Sequence, residues 1–384
     1  MNPFAPKTPQ RTPASSAGQS KGVFRSLLFW REASQFSLLL FVAAVAVLVI
    51  TVSWLTGWIG DWGGFVKART KKVVPAVVEP VVPAAPTHAR LIDGVAIPDT
   101  EQASGRYYAL TIDNLYVARP QSGISKASVV YEAPVEAGIT RFLFVFPDDV
   151  QVDKIGPVRS ARPYFLDWIS EYDALYAHVG GSNEALDNIT AYGLRDMNEF
   201  SQGAYFWRAS EREAPHNAYT STEMLSKNFE KRFSERPPRP LDGWKFKADA
   251  PEGERPAKAT LAIEYGDPHV NVSWNYAPAT NSYARIQGGK AIKDADGTAV
   301  TAKNIVVQEA AVTVIDDYGR RKIVTVGKGE ATFAFDGLTV HGTWSKDSRT
   351  ARTRFFDASR NEIAFNAGTT WIEVVPTGTA VTAE

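Results

Sequence analysis

Cysteine is absent from this 384-residue chain. That single absence excludes disulfides, thiolate nucleophiles, cysteine-ligated zinc and acylation of a lipoprotein cysteine. Net charge is absent too: 42 basic side chains balance 42 acidic ones. Such a balance gives no bulk attraction to nucleic acid, and no nucleic-acid partner is expected. The five histidines are scattered, with no metal-ligand spacing, so no metal site is expected. There is no phosphate-binding glycine loop, and no cofactor is expected. Gly180-Gly-Ser-Asn-Glu184 is not Gly-x-Ser-x-Gly, so a hydrolase elbow has no support. Asp294-Ala-Asp-Gly297 opens like a calcium loop, but Ile305 stands where the bidentate Glu belongs. A tight turn remains, since Asp and Gly are turn formers.

What the chain does have is one long apolar run. Ala33 to Gly60 carries no charged residue. About 20 apolar residues cross a bilayer as a helix, so residues 33–60 are expected to form one transmembrane helix. The run exceeds a signal-peptide core, and its one small-x-small triplet, Ala44-Val-Ala46, lies inside it. Trp54, Trp58 and Trp62 fall on one helical face at its far end, as an interfacial belt does. Lys21, Arg25 and Arg31 before it nearly balance Lys67, Arg69, Lys71 and Lys72 after it, so charge alone does not orient it.

Composition divides the rest. Residues 1–32 are polar and rich in Pro, Ser and Thr, and read as a disordered cytoplasmic tail. Residues 61–90 form a Pro-rich spacer; from Lys71 it extends some 60–70 Å at about 3.1 Å per residue. Residues 91–235 alternate strands with helices, at Pro163–Tyr172, Ser182–Tyr192 and Thr222–Phe233. That pattern argues a layered α/β N-terminal domain. After Arg236-Pro-Pro-Arg-Pro240 the apolar period becomes two, and short strands recur to the end. The expected fold class is α+β: the α/β N-terminal domain, then a mainly antiparallel β C-terminal domain over 241–384, preceded by the transmembrane helix.

Polar residues interrupt the apolar frame of the first domain at specific points. Glu132 and Glu136 flank a proline, followed by Gly138-Ile-Thr-Arg141. Arg159 and Arg162 close Lys154-Ile-Gly-Pro-Val-Arg-Ser-Ala-Arg162, and His178 precedes Gly180-Gly-Ser182. Arg141, Arg159 and Arg162 suit bidentate grip on carboxylate or phosphate. Ser182 and its glycines offer N–H groups at a helix start. His178 or Glu132 suit acid–base work. His216-Asn217 is a further candidate for the same site. The opposing reading is a buried Arg–Glu network holding two layers together, because buried Arg must be paired. Both stay open at this point.

Several of these segments carry a resemblance. Arg119-Pro-Gln-Ser-Gly-Ile-Ser-Lys-Ala-Ser128, Tyr131-Glu, Glu136-Ala-Gly-Ile-Thr-Arg141 and the Lys154–Arg162 and Ala177–Ser182 segments resemble the YerB family of bacterial envelope lipoproteins. Ala302-Lys-Asn-Ile-Val-Val307 and Gly368-Thr-Thr-Trp-Ile372 extend the similarity into the second half. That family is also described as a domain of unknown function with N- and C-terminal halves. The resemblance implies an extracytoplasmic body on the cell membrane, and brings no reaction. Many relatives carry a lipidated cysteine; here the helix takes that place. The function expected is a membrane-tethered module of the cell envelope. It would recognise an anionic wall component or an envelope protein through Glu132, Glu136, Arg141, Arg159, Arg162, His178 and Ser182. The alternative is a wall hydrolase or transferase using the same Glu/Arg/His cluster; whether the chain is an enzyme is left open.

Overall fold

The computed structural model describes residues 41–52, 87–98 and 105–384. The chain divides into two compact units, 1–82 and 83–384. Of the first unit, helix α1 (41–52) is described, with every residue exposed. The rest of the expected 33–60 span lies outside the described residues, as do the tail 1–32 and the spacer as far as residue 86. Among the described residues no helix is long and apolar enough to cross a membrane. Thr87–Ala89, expected in the spacer, pairs antiparallel with Ala96–Pro98 instead.

The second unit is organised by one ten-stranded mixed sheet. Its order is Arg354–Asp357, Leu338–Lys346, Gly327–Phe335, Asn304–Ala310, Thr370–Pro376, Val129–Pro134, Thr140–Pro147, Tyr107–Asp113, Leu175–His178 and Arg195–Asn198. The first five strands come from the second half of the sequence and the last five from the first. They meet where Thr370–Pro376 pairs in parallel with Val129–Pro134 on one side and Asn304–Ala310 on the other. Part of the β-rich second half therefore extends the sheet of the first, while its other strands form a six-stranded sheet of their own. Strands at this seam are buried on both faces, which explains why Val129-Val-Tyr-Glu-Ala-Pro134 reads as an almost unbroken apolar run.

One face is covered by helices α2 (Pro163–Tyr172) and α3 (Asn183–Ala191). Pro163 sits at the first helical turn of α2, where a missing N–H costs nothing. Its Trp168 stacks on Tyr131 with ring centroids 5.0 Å apart. Ser182 caps α3, its Oγ accepting from the Ala185 N–H at 3.3 Å. The short helix α4 (Glu199–Gln202) follows the sheet's last strand. The other face is covered by α5 (Thr222–Phe233) and a six-stranded sheet built on Thr260–Ile263, Val272–Ala277 and Ser282–Gln287. Together these form an α+β body with a β-rich C-terminal part.

Candidate anion-binding cleft

Residues 154–161 adopt no long strand. They form single bridges in succession to Thr220, Ser122, Ile112 and Gly181. Gly156 makes this path available: its φ is +152°, and a Cβ there would lie 2.7 Å from the Ala218 carbonyl oxygen. The segment delivers Arg159 and Arg162 to the same place as Arg141, the second residue of Thr140–Pro147. Ser182 arrives from the start of α3 and Glu136 from the turn after Val129–Pro134. All five line one open cleft of about 370 Å³. A hairpin of the second half, Val312–Val314 with Arg321–Ile323, adds Tyr318 and Arg320 from its tip.

Basic side chains outnumber acidic ones by one. Arg141, Arg159, Arg162 and Arg320 line the cleft with Glu136, and Asp113 and Asp316 pair with Arg159 and Arg320. Arg162 hydrogen bonds to Glu136, and Arg141 reaches that carboxylate only at 3.9 Å. Arg141 is buried and donates to the Ser160 carbonyl at 3.1 Å. Burial, then the charge of Arg162, lowers the Arg141 pKa to about 10, against the opposing pull of Glu136. Burial raises the Glu136 pKa, but the hydrogen bond and charge of Arg162 and the charge of Arg141 outweigh it and hold it low. Arg159 pairs with Asp113 at 3.0 Å. His216, the further candidate, donates from Nδ1 to the same Asp113 carboxylate at 2.6 Å, so it meets the cleft only through Arg159.

Two of the sequence candidates lie elsewhere. His178 is fully buried; Nδ1 meets the Gly180 carbonyl and Nε2 meets Asp196, each at 2.7 Å, and its ring stacks on Tyr176. Glu132 points to the opposite face of the sheet. There Arg285, fully enclosed, pairs with Glu132 and with Glu373 at 2.7 Å. Asn114 at 3.0 Å and Thr140 at 2.5 Å also donate to Glu132. Trp274 at 2.9 Å and Tyr265 at 2.8 Å donate to Glu373. Glu132 thus belongs to a buried paired network, while the arginines line the cleft and are each paired with a carboxylate as well. Asp113, Tyr318 and Arg320 have no signal in the sequence: the first ends a strand, and the others stand in an ordinary Asp-Gly-rich turn.

One cation between two carboxylates leaves a buried negative charge unless one carboxyl keeps its proton. Burial, then the neighbouring Glu373, raises the Glu132 pKa to about 8 against the pull of Arg285. A raised carboxyl pKa means the folded state holds a proton that the unfolded chain releases. That contribution is present at low pH and is lost as pH rises from the ordinary carboxylate range through about 8. Urea midpoints should therefore fall as pH rises from about 5 to about 8 and level off above it, and Glu132→Gln should flatten that fall. An unchanged slope in the variant would assign the dependence to other groups.

The first half, residues 93–236, matches the family described as "Protein of unknown function (DUF3048) N-terminal domain". Residues 261–372 match its C-terminal domain. The chain belongs to the DUF3048 family. It is 31% identical over 284 residues to "Putative lipoprotein YerB" of Bacillus subtilis (strain 168), covering 71% of this chain and 81% of that protein. The crystal structure of YerB from Bacillus subtilis superposes with a TM-score of 0.68 at 30% identity, over 77% of this chain and 99% of that one. The likeness read from the motifs thus runs through both halves of the DUF3048 fold. Among the described residues no group of three or more His, Asp or Glu is placed to hold a metal.

Proposed function

We propose that this DUF3048 protein is a membrane-tethered module of the cell envelope that binds an anionic wall component, or an acidic envelope partner, in the arginine cleft. One observation carries the reading. A chain of zero net charge gathers four guanidinium groups in an open cleft against three carboxylate partners, Glu136, Asp113 and Asp316, an excess of one positive charge. Such focusing raises the local concentration of anions, and paired arginines recognise carboxylate or phosphate with two hydrogen bonds each. The helix start at Ser182 adds partial positive charge on the same wall.

The charge-free 33–60 run supplies the tether in this reading, and residues 61–86 the spacer. The name of the Bacillus relative supports a body on the outer side of the membrane. With no cysteine in the sequence there is no thiol for a lipid, so the apolar run is the anchor. A hydrolase or transferase is less well supported, since His178 and Glu132 are enclosed where no substrate reaches them.

The test is titration of the full chain, in detergent, with purified anionic wall fragments. Arg159→Ala should weaken binding about tenfold, the loss of one charge-assisted contact. It should cost only about 1 kcal/mol of stability, as a partly exposed ion pair does, because Asp113 keeps His216. Unchanged affinity in the variant, or no binding by the parent, overturns the reading.

A further inference from the structure

A second basic pocket, of about 410 Å³, shares no lining residue with the arginine cleft. It is built on the other face of the ten-stranded sheet, where the six-stranded sheet packs. Gln287 ends the strand Ser282–Gln287 and pairs with Lys290 across Gly288 and Gly289, whose φ values of +57° and +73° suit a two-residue hairpin turn. A Cβ on Gly288 would lie 3.1 Å from the His269 carbonyl oxygen, so this turn rests against the His269 segment. Lys293 follows, bridged to Ala299. Arg119 and the exposed ring of Tyr116 complete the lining from the first half of the sequence. Behind them stands the enclosed network: Gln287 donates to Glu132 at 3.3 Å and Asn114 at 3.0 Å.

Asn114 also fixes Arg119. Its Oδ1 accepts from Nε at 3.1 Å and its carbonyl from Nη2 at 3.0 Å. A guanidinium carries five N–H donors in a rigid fork. These two bonds take the Nε/Nη2 edge, and the N–H groups of the Nη1/Nη2 edge have no partner among the described residues. Arg119 is half-buried, and burial lowers its pKa against the opposing charge of Glu132. Buried charges are ordinarily paired, yet among the described residues Arg119, Lys290 and Lys293 form no ion pair, and no acidic side chain lines the pocket. Neighbouring carboxylates are engaged elsewhere. Asp294 accepts from Gly123 and Ser125, Asp267 from the His269 N–H at 2.8 Å, and Asp113 holds Arg159 and His216.

Three unanswered cations and a guanidinium with one free edge call for an anion. We infer that this pocket is a separate phosphate site, taking either the free ion or the terminal phosphate of a monoester. A carboxylate has two oxygens, and the free fork of Arg119 would use both. A phosphate carries further oxygens for Lys290 and Lys293, and a charge of about −1.5 to −2 at pH 7 to set against the three cations. The Tyr116 ring, 70% exposed at the rim, suits the organic part of an ester. The inference does not rest on the anion-binding reading of the arginine cleft.

The experiment uses the full chain in detergent, with carbon-13 in its five histidines, and follows their ring resonances. His269 reports on this pocket, and His216, bonded to Asp113, reports on the arginine cleft. At constant pH and ionic strength, inorganic phosphate should move the His269 resonance along a saturating curve. Lys290→Glu with Lys293→Glu should weaken that binding about tenfold or more, the loss of two charge-assisted contacts. Arg119→Ala should weaken it about tenfold as well. The exposed lysine pair keeps the test sound should the Arg119 variant disturb the network behind it. Arg159→Ala should leave the His269 curve unchanged. So should Lys231→Glu with Lys328→Glu, at exposed positions outside both sites. Phenyl phosphate distinguishes the sources: tighter binding that Tyr116→Ala returns to the phosphate value assigns an ester terminus, and equal binding assigns the free ion. If His269 does not respond to phosphate, if acetate moves it equally, or if the Lys290/Lys293 pair is inert, the inference fails and the arginine cleft is untouched. Equal losses in the Lys231/Lys328 control would reduce the effect to general charge and overturn it. A saturating response at His269 with none at His216 would uphold this site alone.

Discussion

Arg285→Ala should lower stability by about 3–5 kcal/mol, the usual consequence of removing one partner from a buried ion pair. Arg285, Glu132 and Glu373 are all fully enclosed. The guanidinium also packs over Trp371 at 4.4 Å and Trp274 at 5.1 Å. The substitution would leave two carboxyl groups facing each other without a cation and open a space between these rings and that of Phe142, 5.6 Å from the guanidinium. Thermal unfolding of the full chain should show a midpoint lower by on the order of 10 °C. Replacing the whole set with Glu132→Gln, Arg285→Met and Glu373→Gln should recover much of the loss, since apolar or neutral groups of similar volume often substitute for buried ions. A midpoint for Arg285→Ala within a degree or two of the parent would show that water reaches the triad.

Glu171→Ala should have a comparable effect on the opposite face. Glu171 is the last-but-one residue of α2, and its carboxylate pairs with Lys346 at 2.7 Å and Arg352 at 3.1 Å. Thr353 adds its hydroxyl at 2.6 Å and its N–H at 3.2 Å. Here one anion serves two cations. Its removal leaves Lys346 and Arg352 buried and mutually repelling, again about 3–5 kcal/mol. Lys346 still donates to the Ala351 carbonyl, and Arg352 still packs on the Trp244 ring at 3.7 Å. Glu171→Gln should therefore recover part of the loss by keeping the neutral hydrogen bonds. Chemical denaturation of both variants checks this; equal stability of Glu171→Ala and the parent would mean that the cations find water.

Much of the first half was readable because its signals are local. Pro163 and the aromatic spacing of Tyr164, Trp168 and Tyr172 mark α2, and Ser182 marks the start of α3, within a turn of where they lie. The three arginines were readable as a group because each follows a strand or turn signal. The partners of Glu132 were not, since Arg285 and Glu373 lie 153 and 241 residues away in sequence, and no periodicity links such positions. Glu136, by contrast, pairs with Arg162 only 26 residues away. Arg195–Asn198 carries too short and polar a pattern to read as a strand; its parallel pairing with Leu175–His178 makes it one. The shared sheet was hidden for the same reason as Arg285: period-two strands tell which face is buried, not which strand lies alongside.

The seam strand Thr370–Pro376 is the last of the ten in sequence, yet it occupies the middle of the sheet. Until it is in place, Val129–Pro134 has an open edge and Glu132 lacks its companion carboxyl. A growing chain therefore cannot finish its first half when that half has been made. It must wait for Thr370–Pro376, about 240 residues downstream of the strand it pairs with, a long-range closure of the kind that slows folding. The strand is in effect a latch: the first half stays unlocked until it arrives.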